Sequence, residues 1–182
     1  NIDIAKVISA SNSQPFSHIH QPGIAVGGHC IPIYPRFYLW NDPEATVVRA
    51  AREANAGMPD HAVSILNSEL GSLSGKKVAV LGISYRGGVK ESAFSGVFPT
   101  VNALKAAGAN VVVNDPMYTD DEIKALGFEP YSIGGSVDGM ILQADHAEYK
   151  KLTEKDFPGV KAVVDGRRAL AKSNFAGTSL RV

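Results

Sequence analysis

The hydrophobic pattern of the chain changes character near residue 75. Before this point, apolar residues recur three or four positions apart, which is typical of helices with one buried face. A short opening helix is predicted over residues 2–8, and the polar stretch 11–15 ends it. A longer helix is predicted over residues 44–70, where apolar residues line one side and Gly71 stops the pattern.

The longer helix carries recognisable local signals. Asp42, Pro43 and Glu44 form a start signature, because a carboxylate can cap the first amides and proline needs no amide partner in the first turn. Glu44 also places a negative charge near the positive end of the helix dipole. Pro59 removes a backbone donor inside the pattern, so a kink or break is predicted near residues 57–59.

From Lys76 onward, short apolar runs alternate with helical patterns. Four runs have the length of buried strands: 78–81, 111–113, 139–142 and 162–164. Helices are predicted over residues 98–108 and 119–125. This alternation with short linkers predicts an α/β fold with a parallel, doubly wound sheet. Ligands of such sheets bind at the carboxyl ends of the strands, so functional residues are expected directly after each run.

Charge and composition exclude several classes of protein. The 182 residues carry eighteen basic and eighteen acidic side chains, so no net field attracts nucleic acid or an anionic membrane. No apolar run is long enough to cross a bilayer, and the first residues lack the pattern of a signal peptide. The single cysteine cannot form an intrachain disulfide and favours a reducing compartment. We therefore expect a cytoplasmic protein without nucleic-acid or membrane partners.

The only cysteine, Cys30, follows two glycines and precedes Pro32 and Pro35. Glycines allow a backbone to approach a ligand closely, and the prolines stiffen the segment that follows. The surrounding residues show neither helical nor strand periodicity, so we predict that Cys30 lies on a loop and acts as a nucleophile. The alternative is a buried cysteine that packs as a small hydrophobic residue.

Three other assignments fit this loop less well. His29 is a poor base for Cys30, because neighbouring side chains of an extended segment point in opposite directions. The spacing of His18, His20, His29 and Cys30 fits no standard zinc site, so no metal is predicted. A thioesterase or protease elbow would need glycine where Pro32 stands.

A second candidate site is the segment 82–92, which follows the first predicted strand. It contains glycines and two cations, Arg86 and Lys90. It is not a P-loop, because Gly88 stands where the lysine must be, and it carries no GxGxxG fingerprint. A mobile basic loop at a strand end suits a diphosphate. The alternative is an ordinary exposed loop with two solvated charges.

A reactive thiol suits one particular oxidation. Removal of a hydride from an alcohol produces an aldehyde, and a second hydride can leave only from a tetrahedral adduct. A thiolate forms this adduct as a thiohemiacetal, which becomes a thioester when the hydride leaves, and water then releases the acid. Backbone amides near Gly27 and Gly28 would stabilise the oxyanion of the adduct.

Several motifs resemble the UDP-glucose/GDP-mannose dehydrogenase family. The sequence VGGHCIP at 26–32 resembles the active-site loop, in the form found in the branch that acts on UDP-N-acetylhexosamines. The match continues in the same order through VLGISYR at 80–86, KES at 90–92, NDP at 114–116 and DGR at 165–167. The resemblance implies an enzyme that oxidises the C6 alcohol of a nucleotide sugar to a carboxylate in two NAD-dependent steps.

The resemblance also implies roles for individual residues. Cys30 matches the catalytic nucleophile, and Lys90 matches a basic residue near the cofactor phosphates. The positions assigned to binding of the UDP-sugar substrate are Gly27, Gly28, Arg86 and Arg167. Relatives use the long central helix as a subunit interface. The apolar stripe of residues 44–70 would be exposed in a monomer, so a homodimer through this helix is expected.

The resemblance also implies that the chain is divided into two parts. Residues 1–74 correspond to a helical central and dimerisation segment with the catalytic cysteine loop. Residues 75–182 correspond to a Rossmann-like, C-terminal nucleotide-sugar-binding domain. The glycine-rich NAD-binding unit of the family has no counterpart in the sequence. We therefore expect a fragment, inactive by itself, whose NAD is bound mainly by an absent N-terminal domain.

Departures from the family pattern keep a second function open. Most relatives have aspartate where Tyr34 stands, and that acid takes part in water activation or proton handling. Tyrosine cannot replace it as a carboxylate. The basic loop is also shorter than in many relatives, which lack the pair Gly87 and Gly88. The alternative function is a non-catalytic nucleotide-sugar-binding module that has kept the cysteine loop.

Overall fold

The computed structural model describes residues 2–181, in which a helical segment precedes a five-stranded sheet. The helical segment contains α1 (Ile4–Ser11), α2 (Tyr34–Asn41) and α3 (Thr46–Leu70). The strands are β1 (Lys77–Leu81), β2 (Asn110–Asn114), β3 (Gly139–Leu142), β4 (Ala162–Asp165) and β5 (Ser179–Arg181). Between them lie α4 (Val97–Ala106), α5 (Asp120–Ala125) and 3-10 helices at Tyr149–Lys151, Glu154–Asp156 and Lys172–Phe175.

All five strands run parallel, in the order β2-β1-β3-β4-β5. The chain enters the sheet at β1, moves to the edge strand β2 and then returns past β1 to build the other side. This reversal confirms the predicted doubly wound α/β fold, and it creates a crevice between the carboxyl ends of β1 and β3.

The interiors of β1 to β4 are apolar and buried because both faces of the sheet are covered. One face, which includes Val80 and Ile141, packs against α3, α4 and α5. The opposite face, which includes Leu81 and Met140, is covered by the 3-10 helices and their loops, with Tyr149 buried among them. Two hydrophobic layers therefore cover the two faces of the sheet, while its carboxyl edge is bordered by the loops that follow the strands.

The second half of α3 is part of this packing. Ala62, Val63 and Leu66 are buried, and a Cβ on Gly139 would lie 3.2 Å from the Leu66 side chain, so the helix rests directly on β3. The expectation that the whole apolar stripe would be exposed is wrong, because the sheet covers this half. The first half does carry exposed apolar residues, and Val47 is 81% exposed.

The start of α3 also differs from the prediction. The helix begins at Thr46, with Ala45 as its N-cap, so Asp42, Pro43 and Glu44 do not start it. The reason is α2, which the sequence pattern did not predict, and whose carboxyl end is capped by Asp42. The backbone amide of Asp42 closes α2, and its carboxylate accepts the amide of Glu44 in the linker between the two helices.

Pro59 does not break α3, which is continuous from Thr46 to Leu70. The side chain of Pro59 is buried, so packing holds the helix together where the ring removes a backbone donor. Gly71 ends the helix in the left-handed conformation, with a φ of 73°, as the pattern predicted. Among residues 2–181, no helix combines the length and hydrophobicity needed to cross a bilayer.

The proposed division at residues 74 and 75 falls between α3 and β1. Side chains from both parts, including Leu66 and Val80, belong to one hydrophobic cluster. The helical segment and the sheet are therefore joined by a shared core, and the functional division between them stays a prediction.

Candidate functional site

Three loops meet at the carboxyl edge of the sheet: residues 82–92, 143–146 and 165–168. A fourth segment, residues 22–30, comes from the helical part and crosses the same edge; we call it the cysteine segment. The side-chain amide of Gln143 donates to the carbonyl of Ile24 over 2.8 Å, and Ile24 is 3% exposed. The edge where ligands were predicted therefore carries both the basic loop and the cysteine segment.

Glycine is required at position 27 by close packing and at position 28 by the backbone conformation. A Cβ on Gly27 would lie 2.5 Å from the Cβ of Tyr85 and 2.8 Å from the carbonyl oxygen of Phe94. Gly28 has a φ of 91°, and its amide donates to the carbonyl of Ala93 over 2.8 Å. Because the protein itself uses this amide, the predicted contribution of Gly28 to an oxyanion site does not fit the structure.

Cys30 is exposed, so the alternative of a buried, packing cysteine is wrong. Its carbonyl accepts hydrogen bonds from the amides of Ile33 and Tyr34, at 3.0 and 2.9 Å. These bonds form the turn that leads into α2. The thiol therefore lies on an accessible turn just before a helix, where a substrate can reach it.

His29 points toward the basic loop. Its Nε2 lies 3.1 Å from Oε2 of Glu91, and both side chains are largely exposed. This hydrogen bond, together with the Ala93 amide, lowers the pKa of the Glu91 carboxyl. His29 thus pairs with an acid on another loop. Within residues 2–181, no three His, Cys, Asp or Glu side chains are grouped so that they could hold a metal ion.

Arg167 is held between the cysteine segment and the 143–146 loop. Its Nε and Nη2 each lie 3.2 Å from Oδ1 of Asp145. The side chain is 17% exposed and packs over Gly23, where a Cβ would collide with the guanidinium. Burial by itself would raise the pKa of Asp145, but Arg167 and the amide of Gly87 lower it below its ordinary value.

Arg86 lies on the neighbouring loop and is exposed. Its guanidinium is 5.8 Å from the ring centroid of Tyr85 and donates to the carbonyl of Gly87. The amide of Gly87 donates in turn to Oδ1 of Asp145 over 3.1 Å. The structure therefore brings the Arg86 loop and the Arg167 side chain together on one carboxylate.

Lys90 lies on the β2 side of the sheet. It forms an ion pair with Glu122 of α5, and its ammonium is 5.1 Å from the ring centroid of Tyr118. The hydrogen bond from Lys90 lowers the pKa of Glu122. The ammonium of Lys90, which was predicted to face the cofactor phosphates, is thus paired with a carboxylate. Lys90 and Arg167 lie at different places along the edge, because Arg167 follows β4.

Sequence reasoning missed four polar side chains at this edge that are at most 2% exposed: Asp115, Gln143, His146 and Asp165. Asp165 accepts the amides of Arg167 and Leu170, which shapes the loop after β4. Each of the four follows or ends a strand, where functional residues were expected. The sequence analysis selected Arg86, Lys90 and Arg167 from these loops because their charge can be read from the sequence. The burial of the four polar side chains cannot be read from it.

Asp115 and His146 form a buried pair. Nε2 of His146 lies 3.1 Å from Oδ2 of Asp115. Burial would raise the pKa of Asp115, but the hydrogen bonds from His146 and from the amides of Met117 and Ile83 lower it overall. The carboxylate is therefore charged and fully hydrogen-bonded inside the protein.

A cavity of about 440 Å³ lies between the cysteine segment, α3 and the start of α4. Arg36 and Arg52 line it, together with Phe94, whose ring centroid is 5.9 Å from the Arg36 guanidinium. Among the described residues, no acidic side chain lines this cavity. It is a second place where an anion could bind near the cysteine segment.

Comparison with known proteins gives a consistent result. Residues 79–172 match the UDP binding domain of the UDP-glucose/GDP-mannose dehydrogenase family, and residues 1–57 match its central domain. The chain is 31% identical to a UDP-N-acetyl-D-mannosamine dehydrogenase from Methanocaldococcus jannaschii, over 98% of this chain and 41% of that protein. The chain thus spans about two fifths of the length of the curated relatives it matches.

Two solved structures show the same architecture. A UDP-D-ManNAc dehydrogenase from Pyrococcus horikoshii superposes with a TM-score of 0.81 and 27% identity, covering 99% of this chain and 44% of that one. A UDP-glucose dehydrogenase from Pyrobaculum islandicum superposes with a TM-score of 0.84 and 25% identity, covering 100% of this chain and 43% of that one.

The packing of the cysteine segment predicts opposite effects for two glycine substitutions. Gly27→Ala should lower the free energy of unfolding by about 1–3 kcal/mol, because the new methyl group meets a backbone carbonyl and a Cβ that cannot rotate away. Gly57→Ala is the control, since nothing lies within 4 Å of that position inside α3. It should raise stability by about 0.5–1 kcal/mol. Urea denaturation measures both, and equal stability of Gly27→Ala and the wild type would contradict the described packing.

Proposed function

Because the chain belongs to the UDP-glucose/GDP-mannose dehydrogenase family, we propose that it supplies the substrate-binding part of an NAD-dependent nucleotide-sugar 6-dehydrogenase. The substrate is a UDP-sugar, and a UDP-N-acetylhexosamine is favoured because relatives of this chain act on UDP-N-acetyl-D-mannosamine. The observation that carries the proposal is the meeting of the Arg86 loop and Arg167 on Asp145.

The two arginines are suited to hold the diphosphate of the nucleotide. Guanidinium groups bind phosphate oxygens through paired, charge-assisted hydrogen bonds. Arg167 is fixed by Asp145 and largely buried, so it offers an oriented donor with part of its charge already balanced. Arg86 is exposed and has no acidic partner among the described residues, so its full charge is available to the ligand.

Cys30 is the proposed nucleophile. Its thiolate adds to the carbonyl carbon of the sugar aldehyde and forms a thiohemiacetal. Loss of a hydride from that carbon produces a thioester, and water then cleaves the C–S bond, which releases the carboxylate and restores the thiol. The exposed turn at Cys30 gives the aldehyde access to the sulfur.

NAD would supply the acceptor for the two hydrides. Two observations favour an NAD site outside the residues described here: the sequence has no GxGxxG fingerprint, and Lys90 is paired with Glu122. We therefore place the main NAD site outside these residues and assign the chain the nucleotide-sugar side of the reaction. A location in the cytoplasm stays a prediction from composition.

Tyr34 supports a second candidate function, a nucleotide-sugar-binding module without catalysis. It is the first residue of α2 and is 64% exposed, at the position where the resemblance predicts an acid. A phenol is not a carboxylate base at neutral pH. The two functions make the same prediction for UDP binding and differ in the formation of acid.

The exposed aromatic side chains of α2, together with exposed apolar residues in the first half of α3, favour a homodimer. Phe37 and Trp40 are 63% and 85% exposed, and Val47 is 81% exposed. An exposed apolar patch of this kind is typical of a surface that contacts another protein. Light scattering should give the mass of a dimer, and Trp40→Glu should shift it to that of a monomer. A monomeric wild type would contradict the proposed interface. Lys151→Glu is the charge-change control, because Lys151 is exposed on a 3-10 helix that covers the opposite face of the sheet.

Binding of UDP tests the role of the two arginines. Arg86→Ala and Arg167→Ala should each weaken UDP binding by about 1.5–3 kcal/mol in calorimetry, because each removes a charge-assisted contact. Arg168→Ala is the matched control, since this neighbouring arginine pairs with Asp3 and not with Asp145. If both site variants bind UDP like the wild type while Arg36→Ala and Arg52→Ala bind it weakly, the nucleotide occupies the cavity beside α4 instead.

Acid formation tests the role of Cys30. It is measured with NAD and UDP-sugars on a polypeptide that carries this chain together with an NAD-binding part. Cys30→Ser should abolish the acid, because an alkoxide leaves poorly from the ester it would form. Cys30→Ala should at most allow oxidation to the aldehyde.

His29→Ala is the control and should still form acid, since His29 pairs with Glu91. Normal acid production by the alanine variant of Cys30 would refute the covalent mechanism. A wild type that binds UDP-sugar but produces neither aldehyde nor acid would favour the binding module that Tyr34 suggests.

A further inference from the structure

The position of Arg86 depends on the backbone of its own loop. Its guanidinium donates to the carbonyl of Gly87 and lies over the ring of Tyr85, so both contacts are with neighbours in the sequence. Neither contact ties the side chain to the rest of the protein. Whatever holds the backbone of residues 82–92 therefore decides where this charge lies.

The buried pair of Asp115 and His146 holds this loop at two places. Oδ2 of Asp115 accepts the amides of Ile83 and Ser84, at 2.7 and 3.2 Å. Nδ1 of His146 accepts the amide of Gly88 over 3.4 Å. Neither side chain of the pair is more than 1% exposed. The loop is thus bound at its start and in its middle by two side chains that contact each other.

These hydrogen bonds define one protonation state of the imidazole. Because the amide of Gly88 donates to Nδ1 of His146, that nitrogen carries no proton, and Nε2 must donate to Asp115. Tyr149 packs edge-on against the ring with centroids 5.7 Å apart, and its hydroxyl donates to the carbonyl of Asn114 over 2.9 Å. The ring is therefore oriented by three neighbours, and its two nitrogens have different tasks.

The glycine pair of the loop makes this arrangement possible. The backbone of Asp145 and His146 lies so close to Gly87 that a Cβ there would collide with it. Gly88 has a φ of 74°, and this conformation turns its amide toward the imidazole. Glycine adopts a positive φ without the steric strain that a residue with a Cβ would have. Gly87 and Gly88 are thus the residues that dock the loop onto the segment after β3.

We propose that His146 and Asp115 are positioning residues, which hold the short 82–92 loop so that Arg86 and Arg167 face one diphosphate together. This inference rests on the proposed function, because the diphosphate is the group that Arg86 meets. Both residues act through the loop backbone and do not touch the ligand. If the pair were purely structural, its removal would lower stability without changing the contribution of Arg86 to UDP affinity. If the pair positions the loop, its removal should abolish that contribution.

A double-mutant cycle on UDP binding separates the two roles. His146→Phe removes both hydrogen bonds at similar size and should weaken UDP binding at least roughly ten-fold, while Arg86→Ala should weaken it by about 10- to 150-fold. The double variant should bind no more weakly than Arg86→Ala, because a misplaced arginine and a missing one have the same effect. His146→Gln should recover most of the affinity, since its amide can donate to Asp115 and accept from Gly88. His18→Phe, at an exposed position, is the control and should bind UDP normally.

Hydrogen exchange without ligand provides a second readout. The amides of Ser84 and Gly88 should exchange at least roughly ten-fold faster in His146→Phe than in the wild type, while the amide of Val80 inside β1 stays protected. If the phenylalanine variant does not fold, Asp115→Asn takes its place in the same cycle. Unchanged exchange at Gly88 would overturn the proposal.

The outcomes also distinguish this inference from the proposed function. Fully additive losses for His146→Phe and Arg86→Ala, or normal UDP affinity of His146→Phe, would overturn the positioning role while leaving the function intact. No UDP binding by the wild type would overturn the function and, with it, the diphosphate as the target of the loop. The exchange at Gly88 would then still decide whether the buried pair holds the loop.

Discussion

The carboxyl edge of the sheet depends on backbone segments that lie closer together than side chains would allow. Ile24 occupies the centre of this contact, where its carbonyl and side chain lie so near to Gly96 and Gly166 that a Cβ at either position would collide. The side-chain amide of Gln143, which follows β3, donates a hydrogen bond to the carbonyl of Ile24. Because these contacts join the cysteine segment to the ends of α4, β3 and β4, the helical part cannot move independently of the sheet at the site.

Buried and half-buried carboxylates then shape the loops that leave this edge. Asp115, Asp145 and Asp165 follow or end three different strands, and each accepts backbone amides from a functional loop. Hydrogen bonds from amides and from His146 lower the pKa of Asp115, and Arg167 and the amide of Gly87 lower the pKa of Asp145, so both groups remain ionised although they are removed from water to different degrees. The acids are thus committed to organising the backbone, which leaves the exposed guanidinium of Arg86 for an anion.

The proposed nucleophile and the proposed binding loop are parts of one unit. The amide of Gly28 donates to the carbonyl of Ala93, and His29 pairs with Glu91, so the two residues before the cysteine contact the end of the basic loop. In a dehydrogenase of this family, such a connection would fix the distance between the sulfur and the bound diphosphate. The reacting carbon of the sugar would then be placed by the same backbone that holds its nucleotide.

The amino-acid sequence by itself determined the α/β class, the strands β1 to β4, the exposed cysteine loop and the family, because periodicity and short motifs are local properties. It did not determine that α3 lies on β3, that Lys90 pairs with Glu122, or that Asp115 reaches His146. Helix α2 and strand β5 also escaped prediction, since neither is a long periodic segment. The residues of each such pair come from distant parts of the chain, and they meet only once the strand order and the packing of helices and loops are fixed. Only the tertiary structure therefore showed which charges are available to a ligand and which are already used to hold the fold.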